Sequence, residues 1–191
     1  MRSLVLAALS AAAAAVSLVT AGTATAQITP LDSDTQELNF TVVANESGGL
    51  SVNTGGPIST LGLASNGNSA TGSLTLFSIT DTRGTTAGWN AYLSLTDFVH
   101  SQVPTAVIPA TAATYSPPES ALGLVFGGTA NRTAASIPLK NTDTLFMTRT
   151  SRTVGAPLET ATIPNVNAMS VDLTGGVAIG QYKATLTLSA L

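Results

Sequence analysis

Few side chains in this 191-residue chain could carry acid–base or covalent chemistry. The chain contains one histidine, His100, and no cysteine, which excludes disulfides, thiolate metal ligands and a cysteine nucleophile. A Ser-His-Asp hydrolase would need His100 as its base, and Asp97 lies three residues before it. However, no Gly-x-Ser-x-Gly nucleophile motif occurs, and a Pro- and Ala-rich segment follows His100. We therefore expect His100 to be solvated in a loop, and we expect no enzymatic activity.

The acidic residues do not form the patterns that metal or glycosidase sites require. Only Asp32, Asp34 and Glu37 cluster, and they lack the glycine turn and the final glutamate of a calcium loop. A zinc site needs three or four ligands, and a glycosidase needs two carboxylates that the fold brings together. Other acids stand singly at Asp81, Asp97, Glu119, Asp143, Glu159 and Asp172. With no glycine-rich phosphate loop either, the sequence predicts no metal and no cofactor.

The composition is typical of strands and turns. The chain contains 30 Thr, 19 Ser, 17 Gly and 9 Pro, and only 9% of its residues are charged. Seven Lys and Arg against ten Asp and Glu give a formal net charge of -3. This balance provides no basic surface for nucleic acid, so we expect no nucleic-acid partner.

Residues 1–26 have the features of a secretory signal peptide. Met1-Arg2 supplies a short positive start, residues 4–19 are apolar or small, and Ala24-Thr25-Ala26 has the small-x-small pattern of a cleavage site. The apolar run is shorter than the ~20 residues of a membrane span, which disfavours an uncleaved anchor. We expect a signal-peptide helix that is removed, a mature domain over residues 27–191, and no membrane attachment after cleavage.

The mature sequence alternates between apolar and polar residues in short segments. The clearest segments are Trp89–Leu95 and Tyr182–Leu188, where every second side chain is apolar. Residues 102–118 predict a long connection with room for one short strand, and helix signals are nearly absent after residue 26. About nine short strands punctuated by turn residues predict an all-β fold, a single immunoglobulin-like β-sandwich.

Two stretches have a more specific pattern. Asp81-Thr82-Arg83-Gly84 follows one predicted strand, and Gly88-Trp89 opens the next. The final strand begins at Tyr182 and continues through Leu186-Thr187-Leu188. In order and spacing, the segment from about Phe40 to Leu191 resembles the WxL-domain family of Gram-positive cell-surface proteins. That family is marked by a Trp-x-Leu strand after a D-x-R-G turn and by a second such element in the last strand.

The resemblance implies a function as well as a fold. It implies a secreted β-sandwich at the extracellular cell surface, bound non-covalently to cell-wall peptidoglycan or another envelope polymer, with other surface proteins as further partners. This chain departs from the pattern, since Ala91 replaces the first leucine and Leu186 stands where the second tryptophan is expected. The candidate wall-binding or motif residues are Asp81, Arg83, Gly84, Trp89, Tyr182, Leu186 and Leu188.

Several interpretations remain open at this point. Trp89 is either a core residue, as its phase in the strand favours, or a platform for a sugar ring. Arg83 either pairs with Asp81 to fix the turn, which the turn sequence favours, or contacts an anionic wall polymer. The alternative function is a pilin-like or surface-layer subunit, structural or adhesive, that assembles through strand edges. A small secreted hydrolase ranks third.

Export predicts a defined N-terminus. The protein recovered from culture medium or cell walls should begin at Gln27, or should be blocked to Edman sequencing because that glutamine cyclises. Intact-mass measurement of the same sample provides the check. A recovered chain that still contains residues 4–19 would contradict cleavage and indicate a membrane anchor.

Overall fold

The computed structural model describes residues 37–45, 49–54, 61–64, 67–124, 128–151 and 158–191, with residues 37–45 described by their backbone. The predicted signal peptide and the apolar position Phe126 lie outside the described residues. Within them the fold is all-β and sandwich-like, as predicted, with fifteen strands and one short 3-10 helix, Ala110–Ala112. No helix in these ranges is long and apolar enough to cross a membrane.

The strands, numbered in chain order, form three sheets. The large sheet contains β1 (Glu37–Asn45), β6 (Trp89–Leu95), β7 (Phe98–His100), β8 (Val107–Ile108), β10 (Ala130–Arg132), β12 (Thr144–Arg149) and β15 (Gln181–Ala190). The five-stranded sheet contains β3 (Leu61–Leu63), β4 (Ser69–Gly72), β9 (Ala113–Tyr115), β11 (Ile137–Pro138) and β14 (Met169–Asp172). The three-stranded sheet contains β2 (Leu50–Asn53), β5 (Phe77–Asp81) and β13 (Glu159–Ile163).

The last strand, β15, is the centre of the large sheet. It pairs antiparallel with β6 over residues 186–190 and with β7 at Tyr182 and Lys183. The first strand, β1, pairs with it in parallel over nine residues, from Glu37 opposite Gln181 to Asn45 opposite Ser189. All other strand pairings among the described residues are antiparallel. The two ends of the described chain are therefore joined by one ladder.

The alternating segments place their apolar side chains in one continuous core. Trp89 is 3% exposed, and Leu93 is fully buried on the same face of β6. Tyr182, Leu186 and Leu188 of β15 are buried on the same face of the large sheet. The predicted burial of these five side chains is confirmed.

Tyr115 connects the three sheets in the middle of the core. Its ring lies 6.3 Å from that of Phe77 in the three-stranded sheet and 5.5 Å, edge-on, from that of Phe146 in the large sheet. The Tyr115 hydroxyl donates a 2.5 Å hydrogen bond to Asn165 Oδ1, and burial raises the pKa of this phenol. A neutral, hydrogen-bonded tyrosine is the form that a core can accommodate.

The strands are shorter and more numerous than the sequence predicts. The expected connection over residues 102–118 contains β8, the 3-10 helix and β9. The strand expected from Ser73 begins only at Phe77, because the preceding backbone bonds to a loop. The N–H of Leu74 donates to the carbonyl of Asn165, and the Asn165 amide donates to the carbonyl of Thr75.

Trp89→Ala should destabilise the domain by about 3–5 kcal/mol, because it removes a buried indole and leaves a cavity. Urea denaturation monitored by circular dichroism measures the loss. Ser94→Ala, on the outward face of the same strand, is the matched control and should change stability by less than about 0.5 kcal/mol.

Since Trp89 is the one tryptophan in the sequence, its fluorescence tests burial directly. Native emission should be blue-shifted and should move red on unfolding. Native emission at the wavelength of solvated indole would contradict a core role for Trp89.

Candidate functional site

The Asp81-Thr82-Arg83-Gly84 turn is closed by an ion pair. Arg83 Nε lies 3.0 Å from Asp81 Oδ1, and Arg83 Nη2 lies 2.9 Å from Asp81 Oδ2. The backbone N–H of Arg83 also donates to Asp81 Oδ1, and Nη2 donates to the carbonyl of Gly88. These bonds tie the end of β5 to the start of β6. Hydrogen bonding to Asp81 raises the pKa of Arg83, so its guanidinium remains a cation in this turn.

Glycine is required at two points of this connection. Gly84 has a φ of +67°, in the left-handed region that favours glycine. Gly88 passes so close to β12 that a Cβ there would lie 2.1 Å from the carbonyl oxygen of Arg149. Trp89 follows and pairs with Arg149 across the β6–β12 ladder. The close approach explains why a glycine precedes the tryptophan.

A second ion pair, which the sequence analysis did not identify, lies beside the first. Arg149 Nη2 and Nε lie 2.7 Å and 3.2 Å from Glu159 Oε2, with both side chains at most 2% exposed. Glu159 is the register partner of Asp81 across the β13–β5 ladder. Two carboxylates and two guanidiniums thus meet where the large and three-stranded sheets adjoin. The available signal was that Glu159 is in phase with the apolar residues Ala161 and Ile163, but this does not reveal its partner.

This four-charge cluster is suited to holding backbone together. Each carboxylate receives two or more N–H donors from an arginine. Removing one partner of the buried pair Arg149–Glu159 would leave an uncompensated charge in the core.

His100 is buried, and the expectation of a solvated loop histidine is wrong. It ends β7 and is 4% exposed. The chain after it folds back, so that the N–H groups of Gln102 and Val103 donate to Nδ1 at 3.1 and 2.9 Å. Nε2 lies 3.1 Å from the carbonyl oxygen of Ile179, which can only accept, so Nε2 carries the proton. The prediction relied on the Pro- and Ala-rich composition of the segment after His100. Composition does not show that this segment folds back onto the imidazole.

Asp97 is not positioned as a partner of His100. Asp97 Oδ1 accepts a 2.8 Å hydrogen bond from the N–H of Ala110, whereas the hydrogen bonds of the imidazole are to backbone groups. Asp97 instead borders an open cleft of about 500 Å³ where β6 and β7 run beside β15. The residues lining this cleft are Thr96, Asp97, Val99, Lys183, Ala184 and Thr185.

The seven candidate residues do not converge on one site. Asp81, Arg83, Gly84 and Trp89 lie at one end of the large sheet, near the C-terminal end of β15. Tyr182 lies at the other end of β15, about 27 Å away along the strand, and packs edge-on against His100 at a ring distance of 5.0 Å. Leu186 and Leu188 are fully buried between these ends.

The outward faces of the sheets have a common chemistry. In the three-stranded sheet Ser51, Thr80 and Thr160 stand in register, with the two threonine hydroxyl oxygens 3.0 Å apart. The five-stranded sheet has a corresponding row of Thr71, Ser170 and Thr114. The large sheet presents Asn90, Tyr92 and Ser94 of β6 beside Thr185 and Thr187 of β15.

No protein-family model matches this sequence, and a search of curated proteins gave no significant match. The described residues include no group of three or more His, Asp or Glu side chains placed to hold a metal ion.

His100→Ala should destabilise the domain by about 2–4 kcal/mol, because two backbone N–H groups lose their acceptor and an aromatic contact to Tyr182 disappears. Chemical denaturation measures the difference. Val99→Thr, at an exposed position of the same strand, is the control and should be nearly neutral. Equal stability of His100→Ala and the wild type would mean that the imidazole does not hold this corner.

Proposed function

We propose that this chain is an exported, non-catalytic protein of the cell envelope that associates non-covalently with peptidoglycan, as a divergent WxL-type β-sandwich. The observation that carries the proposal is the surface chemistry of the fold. All three sheets present rows of uncharged hydroxyl-bearing side chains outward. Such rows match a polymer whose own surface consists of hydroxyl and amide groups.

The reactive side chains support the non-catalytic part of the proposal. Asp81 and Glu159 are engaged by arginines, and His100 is held by backbone groups inside the fold. A hydrolase that used these groups would have to expose them to its substrate. Their hydrogen bonds instead fix the turn before β6 and the corner after β7.

The proposal assigns a structural role to the motif residues. Trp89 is buried, so its ring is not available to stack on a sugar. The Arg83 guanidinium is occupied by Asp81 and the carbonyl of Gly88, which favours fixing of the turn over contact with an anionic polymer. Wall contact therefore falls to residues on the outward faces.

A subunit that assembles through strand edges is the second candidate function. The observation that favours it is β1, a nine-residue strand that pairs with β15 and lies beyond it in the large sheet. An edge of this length offers a row of backbone groups to another strand.

Size-exclusion chromatography of the mature chain separates the two candidate functions, since a subunit should form polymers and a wall-binding protein should elute as a monomer.

The mature chain should co-sediment with purified peptidoglycan from which teichoic acids and other anionic polymers have been removed. Retention should change little between low and high salt, because hydrogen bonding and stacking are screened far less than charge pairing. A wild-type chain that stays in the supernatant would contradict the proposal. Binding only to walls that retain their anionic polymers would identify those polymers as the ligand.

A further inference from the structure

We infer that the outward face of the large sheet, centred on Tyr92, is a binding face for a neutral glycan strand. The inference rests on the proposed function and specifies its site and ligand class. It assigns the aromatic platform to Tyr92, three residues after the tryptophan that the sequence pattern emphasised.

The alternation of side chains along β6 decides which of its two aromatic residues faces solvent. Trp89, Ala91, Leu93 and Leu95 point into the core, so Asn90, Tyr92 and Ser94 point outward. Tyr92 is partly exposed, and every other Trp, Tyr or Phe side chain that the structure describes is buried. Tyr92 is therefore the aromatic ring, among those that the structure describes, that a ligand in solvent can contact.

Strand register surrounds Tyr92 with small polar groups. Its register partners are Ser189 of β15, which is buried, and Leu145 of β12, which is exposed. One step along the strands, Ser94 stands opposite Thr187, and in the other direction Asn90 stands opposite Thr148. Tyr92 and the accessible side chains around it are named the Tyr92 face: Asn90, Ser94, Leu145, Thr148 and Thr187.

The Tyr92 face continues into the cleft beside β7. From Tyr92 through Ser94 to Thr96 the strand advances about 14 Å, enough for more than one sugar ring. Thr96 and Thr185 belong to the cleft lining and are joined by a hydrogen bond from the N–H of Thr185 to Thr96 Oγ1. The cleft adds one anion, Asp97, and one cation, Lys183, so its formal charge is zero. A polymer strand could lie along β6 and end in this cleft.

The chemistry of this face selects a glycan over other polymers. The C–H face of a pyranose packs on an aromatic ring, while its hydroxyl and N-acetyl groups exchange hydrogen bonds with Ser, Thr and Asn side chains. The balanced charge gives no attraction for a polyphosphate or a nucleic acid. The three-stranded sheet has similar hydroxyl rows without an aromatic, so it provides an internal control surface.

The test measures binding of neutral glycan strands, soluble oligomers of β-1,4-linked N-acetylglucosamine, to the mature chain by isothermal titration calorimetry. Tyr92→Leu removes the ring but keeps an apolar side chain beside Leu145, and it should weaken binding about tenfold. Tyr92→Phe keeps the ring and should stay within about threefold of the wild type. Thr160→Ala on the three-stranded sheet should bind as the wild type does.

Each outcome separates this inference from the proposed function. If the wild type binds peptidoglycan and Tyr92→Leu binds the glycan strands equally well, the Tyr92 face is overturned and the proposed function stands. If the wild type does not bind peptidoglycan at all, both fail. Binding to stem peptides released from peptidoglycan by amidase, in place of the glycan strands, overturns the ligand class. Should Tyr92→Leu not fold, Ser94→Glu places a charge on the same face and should weaken binding to a similar extent.

Discussion

Pairing along both edges of β15 is the constraint on which the rest of the structure depends. The strand contacts β6 and β7 on one side and β1 on the other, so the last segment of the chain joins the first described strand to the middle of the sheet. Its inward side chains, including Tyr182, Leu186 and Leu188, form part of the hydrophobic core. Because these contacts join residues far apart in sequence, the fold requires nearly the whole chain before its sheet is complete.

Ion pairs and hydrogen bonds fix the large sheet at its two ends. Near Trp89, the ion pairs Asp81–Arg83 and Arg149–Glu159 join the large sheet to the three-stranded sheet. At the other end, His100 holds the turn after β7 and the segment before β15 through backbone hydrogen bonds. These ionisable side chains thus fix the ends of strands.

The local alternation of apolar and polar residues predicted the features of the fold that depend on neighbouring residues in one strand. The period of two in β6 and β15 predicted which side chains are buried, because neighbouring positions on a strand face opposite sides of a sheet. It did not predict that His100 is enclosed or that Arg149 meets Glu159, since these contacts depend on how distant segments return to each other. Short strands such as β7 and β10 were also missed, because such strands are defined by their ladder partners and carry almost no periodic signal. For the same reason, alternation could place Tyr92 on the polar face of β6 but could not show that this face belongs to the largest sheet.

Native-state hydrogen exchange of β15 tests the central role of this strand most directly. The backbone amides from Tyr182 to Leu188 should exchange only through global unfolding, with an opening free energy equal to the unfolding free energy measured by denaturant. Exchange of these amides through a lower-energy local opening, while the amides of β9 and β14 stay protected, would contradict the account. In that case the five-stranded sheet, and not β15, would be the stable centre of the molecule.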